Sequence, residues 1–119
     1  MTIDPLALVG VGGAIGSLCR YQLSRMKAFH GLPLGTLTVN VTGSFLIAAL
    51  VAMNVSPEIY ELLGVGVLGG YTTFSAFGFE TFRMIENSDY RTAAGNIMLN
   101  VVGSLLAVYA GFKVIGLIV

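Results

Sequence analysis

The sequence predicts an all-α integral membrane protein with four transmembrane helices, and three observations carry that prediction. Hydrophobic residues fill 55% of the 119 positions and charged ones 10%, far from the balance of a soluble globular domain. The apolar residues gather into four long runs, each near the ~20 residues that span a bilayer. Inside the third run, Gly69 to Glu80 reads Gly-Gly-Tyr-Thr-Thr-Phe-Ser-Ala-Phe-Gly-Phe-Glu, too polar and too rich in glycine for an ordinary apolar helix. A chain this short has no core large enough to hide so many apolar side chains, so they face lipid, a partner chain or both. Six basic residues balance six acidic ones, which leaves no electrostatic footprint for nucleic acid.

Residues 1–119 are expected to form a single four-span membrane domain, with spans at about 6–26, 36–54, 59–86 and 92–117. Met1 to Asp4 lacks the basic region of a secretory signal, so the first run is expected to be retained. Pro5 suits a first helical turn. Leu6 to Cys19 carries no charge, and Gly12 with Gly16 gives the small-residue spacing that lets helices approach closely in lipid. Arg20, Tyr21, Arg25 and Lys27 then suit the interface, where basic side chains snorkel. Phe29 to Gly35 reads as a connection marked by Gly31, Pro33 and Gly35, with His30 as loop surface. The second span follows from Thr36 to about Met53. Ser56 and Pro57 look like an N-cap and first helical position for the third, and Asn87-Ser88-Asp89 is turn chemistry before the fourth. A lone cysteine, Cys19, excludes an internal disulfide and a thiolate metal cluster.

The third span is expected to break near Gly69 to Thr73, where paired glycines meet two threonines. Carbonyls freed at membrane depth need protein, water or an ion as partners, so the break is a candidate ion site. Helix-packing glycines followed by a hydroxyl-bearing turn is the other reading. Polar stripes flank it: Thr36, Asn40 and Ser44 in the second span, and Asn96, Asn100 and Ser104 in the fourth, each at four-residue spacing on one helix face. Such groups serve either as interhelical glue or as donors lining a path for a small hydrophilic solute. Neutral donors without a carboxylate favour an anion. Phe74 and Phe77 share a helix face; they are packing filler or, through their electropositive ring edges, anion partners. Arg20 and Glu80 are the ionisable residues nearest the spans, close enough to predicted ends to reach the interface. Residues 40–46 and 100–106 match at five of seven positions, an offset of half the chain.

Together, Gly12 to Gly16 with Arg20-Tyr21, Gly35 to Asn40 with Gly43-Ser44-Phe45, and Gly69 to Phe77 with Glu80 resemble the Fluc/CrcB family of fluoride channels. The match covers nearly the whole chain in order. The resemblance implies an antiparallel, dual-topology dimer in the cell membrane, a passive route by which fluoride leaves the cell, and a structural sodium ion at the dimer centre. It implies that Na+ is held by backbone carbonyls of Gly69 and Thr72. It implies a fluoride path along Phe74, Phe77, Asn40, Thr36, Asn100 and Ser104, and charged positions at Arg20 and Glu80 without an assigned role. Ala76 and Gly78 depart from the family, which commonly carries hydroxyls there. Arg25, Lys27, Arg83 and Arg91 fall in the loops of one side against Lys113 on the other. That bias favours one orientation and keeps open a heterodimer with a homologue of opposite bias.

Other classes fit less well. A small proton-coupled multidrug exporter needs an acid deep in the first span, and none lies between Pro5 and Arg20. An enzyme needs a nucleophile, a base and an orienting partner that converge; no such set is legible. A packing-only membrane subunit predicts that an apolar residue at Asn40 would leave transport untouched.

Overall fold

The computed structural model describes residues 2–119; Met1, at the head of the polar start, lies outside it. The regular elements of the described residues are helices, and four helical segments are long and apolar enough to cross a membrane: Pro5–Ser24, Leu34–Met53, Pro57–Glu86 and Tyr90–Ile118. Helix α1 is Pro5–Ser24, with Asp4 accepting from Leu6 N–H at 2.9 Å and Pro5 in the first turn. It ends in a tight reversal. Phe29 and Leu32 exchange backbone bonds of 3.0 and 2.9 Å around His30 and Gly31, both at positive φ. Helix α2, Leu34–Met53, therefore starts earlier than the glycine and proline pattern suggests, and Gly35 lies inside it. The reason is packing: a Cβ on Gly35 would strike the Leu23 carbonyl of α1.

The third span is composite. Ser56 caps a first turn, α3, Pro57–Ile59. A nine-residue π-helix, Tyr60–Leu68, comes next, an i→i+5 form that periodicity does not foretell. Helix α4 is Gly69–Tyr71, Thr72 and Thr73 are extended, and α5 runs Phe74–Glu86. The paired glycines are still helical, so the break falls on the threonines. Asn87-Ser88 turns the chain, Ser88 at φ 60°, into α6, Tyr90–Ile118, capped by Asp89.

Spans one and three run parallel and meet backbone to backbone. A Cβ on Gly12 would fall on the Leu62 carbonyl, one on Gly16 on that of Val67, and one on Gly70 on that of Gly13. Spans two and four also run parallel, with Asn40 beside Asn100, Val41 beside Gly103 and Phe45 beside Gly111. The two segments related by the 60-residue offset thus face each other. The molecule is a slab of 55 × 32 × 18 Å. Among the described residues the buried apolar core is Val39, Ala48, Ala49, Leu68 and Ala93, mostly small residues that let helices approach. Large apolar side chains line the outside, as a lipid-facing protein requires. The protein is a multi-pass membrane protein.

Candidate functional site

The break in the third span is held by α2. Asn40, on its inner face, accepts from Thr73 N–H at 2.8 Å and donates through Nδ2 to the Thr73 carbonyl at 3.0 Å. Thr73 in turn caps α5, its hydroxyl accepting from Ala76 N–H at 3.1 Å. Thr72 N–H and hydroxyl both donate to the Leu68 carbonyl at 3.0 Å. In a continuous helix the Thr73 N–H would reach Gly69. Here neither it nor the Thr72 N–H does, and the Gly69 carbonyl loses its regular donor.

A groove of about 420 Å³ opens over the break. It gathers Gly69, Thr72, Phe74, Phe77, Asn40, Asn100 and Ser104, and no charged side chain lines it. The start of α5 faces it, and helix starts carry partial positive charge. Phe74 and Phe77 lie edge to face, centroids 5.7 Å apart and planes at 64°. Phe74 is 82% exposed, a ring presented outward for its length. Among the described residues no three His, Cys, Asp or Glu side chains come together; the oxygens on offer at the break are backbone carbonyls, donors that suit a hard cation.

Thr36, Arg20 and Glu80 stand apart from that groove. They line a second cavity of about 230 Å³ between α1, α2 and α5. The polar stripe of α2 is therefore divided: Thr36 turns to Glu80, donating to Oε1 at 2.7 Å, while Asn40 faces the groove. Glu80 Oε2 is buried and, among the described residues, has no hydrogen-bond partner. Arg20 lines the same cavity without an ion pair to it. Thr73 borders both cavities. Sequence reasoning placed Thr73 in the break without giving it a role of its own, and did not single out Thr81. Their signal was weak: a threonine three residues before Ala76 resembles many caps, and Thr81 sits in a helix where hydroxyls commonly bond back to the preceding turn.

Comparison with known proteins bears on the whole chain. A fluoride-specific ion channel, FluC, of Rhizobium meliloti (strain 1021) is 44% identical over 117 residues, covering 92% of this chain and 94% of that protein. One of Shewanella sp. (strain ANA-3) is 42% identical over 120 residues, covering 95% and 97%. One of Methanococcus aeolicus is 40% identical over 111 residues, covering 89% and 90%. The family described as CrcB-like protein, Camphor Resistance (CrcB), matches residues 7–112. With spans, break and family pattern agreeing over nearly its full length, this chain belongs to the CrcB family.

Proposed function

We propose that this chain is a subunit of a fluoride-specific channel that passively lets fluoride leave the cell across the plasma membrane, lowering its toxicity. The reading rests on one observation above all: an uncharged groove in which two phenylalanine rings and the start of α5 meet at the helix break. Ring edges and neutral donors replace hydration of a small anion, and the absence of a carboxylate from the groove avoids repelling it. The printed names of the relatives supply the ion. Conduction needs no covalent chemistry, only several weak sites that let the ion enter and leave. Fluoride inside the cell is the conjugate base of a permeant weak acid, so a passive route relieves its accumulation.

The groove is open on one side, as expected if a second subunit completes it. An antiparallel, dual-topology dimer is the partner this reading takes, with Na+ held at its centre by the Gly69 and Thr72 carbonyls. When bound, the ion supplies fixed positive charge and ties the subunits together; it is not transported. The Gly69 carbonyl, relieved of its regular donor, suits that role. Phe74, Phe77, Asn100 and Ser104 line the fluoride path, Asn40 borders it, and Thr36, with Arg20 and Glu80, flanks its approach.

One observation favours a second reading. The loops joining α1 to α2 and α5 to α6 meet at one end, Gly31 lying against Thr92. That end carries Arg25, Lys27, Arg83 and Arg91, against Lys113 at the other. Such bias fixes orientation and fits a heterodimer with an oppositely biased homologue. Liposomes holding only this purified chain, with sodium present, test both. Fluoride release without chloride release supports the homomeric channel. Release only after a homologue is added supports the heteromer, and no release in either case removes the channel.

A further inference from the structure

Three successive residues, Tyr71 to Thr73, meet α2, each in a different way. Thr73 pairs its backbone with the Asn40 side chain. The Thr72 methyl occupies the place where Gly43 has no Cβ. Tyr71 reaches furthest: its ring passes Gly43, with Cδ1 3.4 Å from where a Cβ would stand, and its hydroxyl meets that of Thr42 at 2.9 Å. The direction of that bond follows from the next one. Thr42 gives its only hydroxyl hydrogen to the Thr38 carbonyl at 2.6 Å, so its oxygen accepts and Tyr71 donates. At about 100° per residue, Gly43 lies between Asn40 and Thr42 around α2, so the segment curls around one side of that helix. The backbone of Tyr71 rests on α1, where a Cβ on Gly16 would come within 2.9 Å of its nitrogen.

We infer that Tyr71 is a positioning residue: its hydroxyl, held by Thr42, sets the rotation of α4 and with it the aim of the Gly69 and Thr72 carbonyls. That turn needs a fastening of its own. The helix does not continue beyond Tyr71, so no following turn holds it, and Gly69 and Gly70 bring no side chains with which to pack. Thr42 lies near the middle of α2, at a depth where lipid offers no hydrogen-bond partner. A Tyr71 hydroxyl released there is left unsatisfied, which favours the bonded state. Neither Tyr71 nor Thr42 lines the groove or the cavity at Arg20 and Glu80, so the pair acts on the break from outside the fluoride path. A hard cation takes oxygen donors in a set arrangement, and a carbonyl that turns with α4 is lost to it. The inference rests on the sodium reading for what the carbonyls hold, and on geometry alone for the fastening.

The test is Tyr71→Phe, which keeps the ring and loses the hydroxyl, read on the purified protein in detergent by two measurements. One is hydrogen exchange at the Thr72 amide, whose bond to the Leu68 carbonyl is the last helical one before the break. The other is thermal unfolding as Na+ replaces N-methylglucamine at constant ionic strength, since an ion that binds the folded state raises its stability. Tyr71→Phe is expected to speed Thr72 exchange about fivefold and to raise the sodium concentration of half-maximal stabilisation about fivefold, the scale of one hydrogen bond. Thr42→Val removes the acceptor and should reproduce both effects, and the double variant should add nothing further. A hydroxyl with a merely structural role would lower the unfolding temperature without moving the sodium midpoint. Unchanged Thr72 exchange in Tyr71→Phe overturns the inference, as does faster exchange with a native sodium midpoint. Should Tyr71→Phe not fold, Thr42→Val decides by the same two measurements. If unfolding of the native chain does not respond to Na+, the sodium reading falls, while Thr72 exchange still decides the fastening.

Discussion

At the scale of single residues, Phe74 and Phe77 both line the groove, and Phe74 adds little to the packing of the chain. Phe74 is so exposed that truncating it removes little buried area. Phe74→Ile and Phe77→Ile are therefore expected to lower fluoride efflux at least about tenfold, since an aliphatic side chain has no positive edge. Thermal unfolding in detergent should move little for Phe74→Ile. A native flux in both variants would remove the rings from the path. Thr36 behaves in the opposite way. Among the described residues it donates the one side-chain hydrogen bond that the Glu80 carboxylate receives. Thr36→Val is expected to cost about 1–3 kcal/mol of stability, and Thr36→Ser much less, as read by chemical or thermal unfolding of the purified protein.

Among the elements, the pair formed by α1 and the π-helix sets the geometry on which the break depends. Their backbones touch because Gly12, Gly16 and Gly66 carry no side chain. Backbone cannot yield as a flexible side chain can, so Gly12→Val or Gly16→Val is expected to cost about 3 kcal/mol or more. Gly95 and Gly116 provide the control, because a Cβ there meets nothing within 4 Å. Alanine at either should be neutral or stabilising by up to about 1 kcal/mol, the helix-propensity difference. Equal unfolding temperatures for the two groups of variants would contradict the packing.

For the whole molecule, what matters is orientation. With the exposed Cys19 replaced by serine, a cysteine at Ser88 reports the basic end of the bundle. In intact cells an impermeant thiol reagent should label about half the copies if the chain inserts both ways, and almost none if its charge bias fixes the basic end inside. The first result supports the homodimer and the second the heterodimer, and efflux from liposomes of the chain alone should follow the same division.

Much of this protein was written in local chemistry. Four apolar runs, the cap at Ser56 and the turn at Asn87-Ser88-Asp89 are decided by composition and neighbours, because in lipid each helix satisfies its own backbone. The threonines that break the third span were legible for the same reason, and so was the shared face of Phe74 and Phe77. Periodicity alone could not separate Thr36 from Asn40: both lie on one face of α2, and only the position of α5 sends one to Glu80 and the other to Thr73. Nor could it give the π-helix, which accompanies the backbone contact with α1. The amides of Asn40, Asn100 and Asn96 bond in series to the Thr81 hydroxyl and join three helices that are distant in sequence. Sequence spacing fixes which residues share a helix face, whereas hydrogen-bond partners across helices are fixed only when the helices pack.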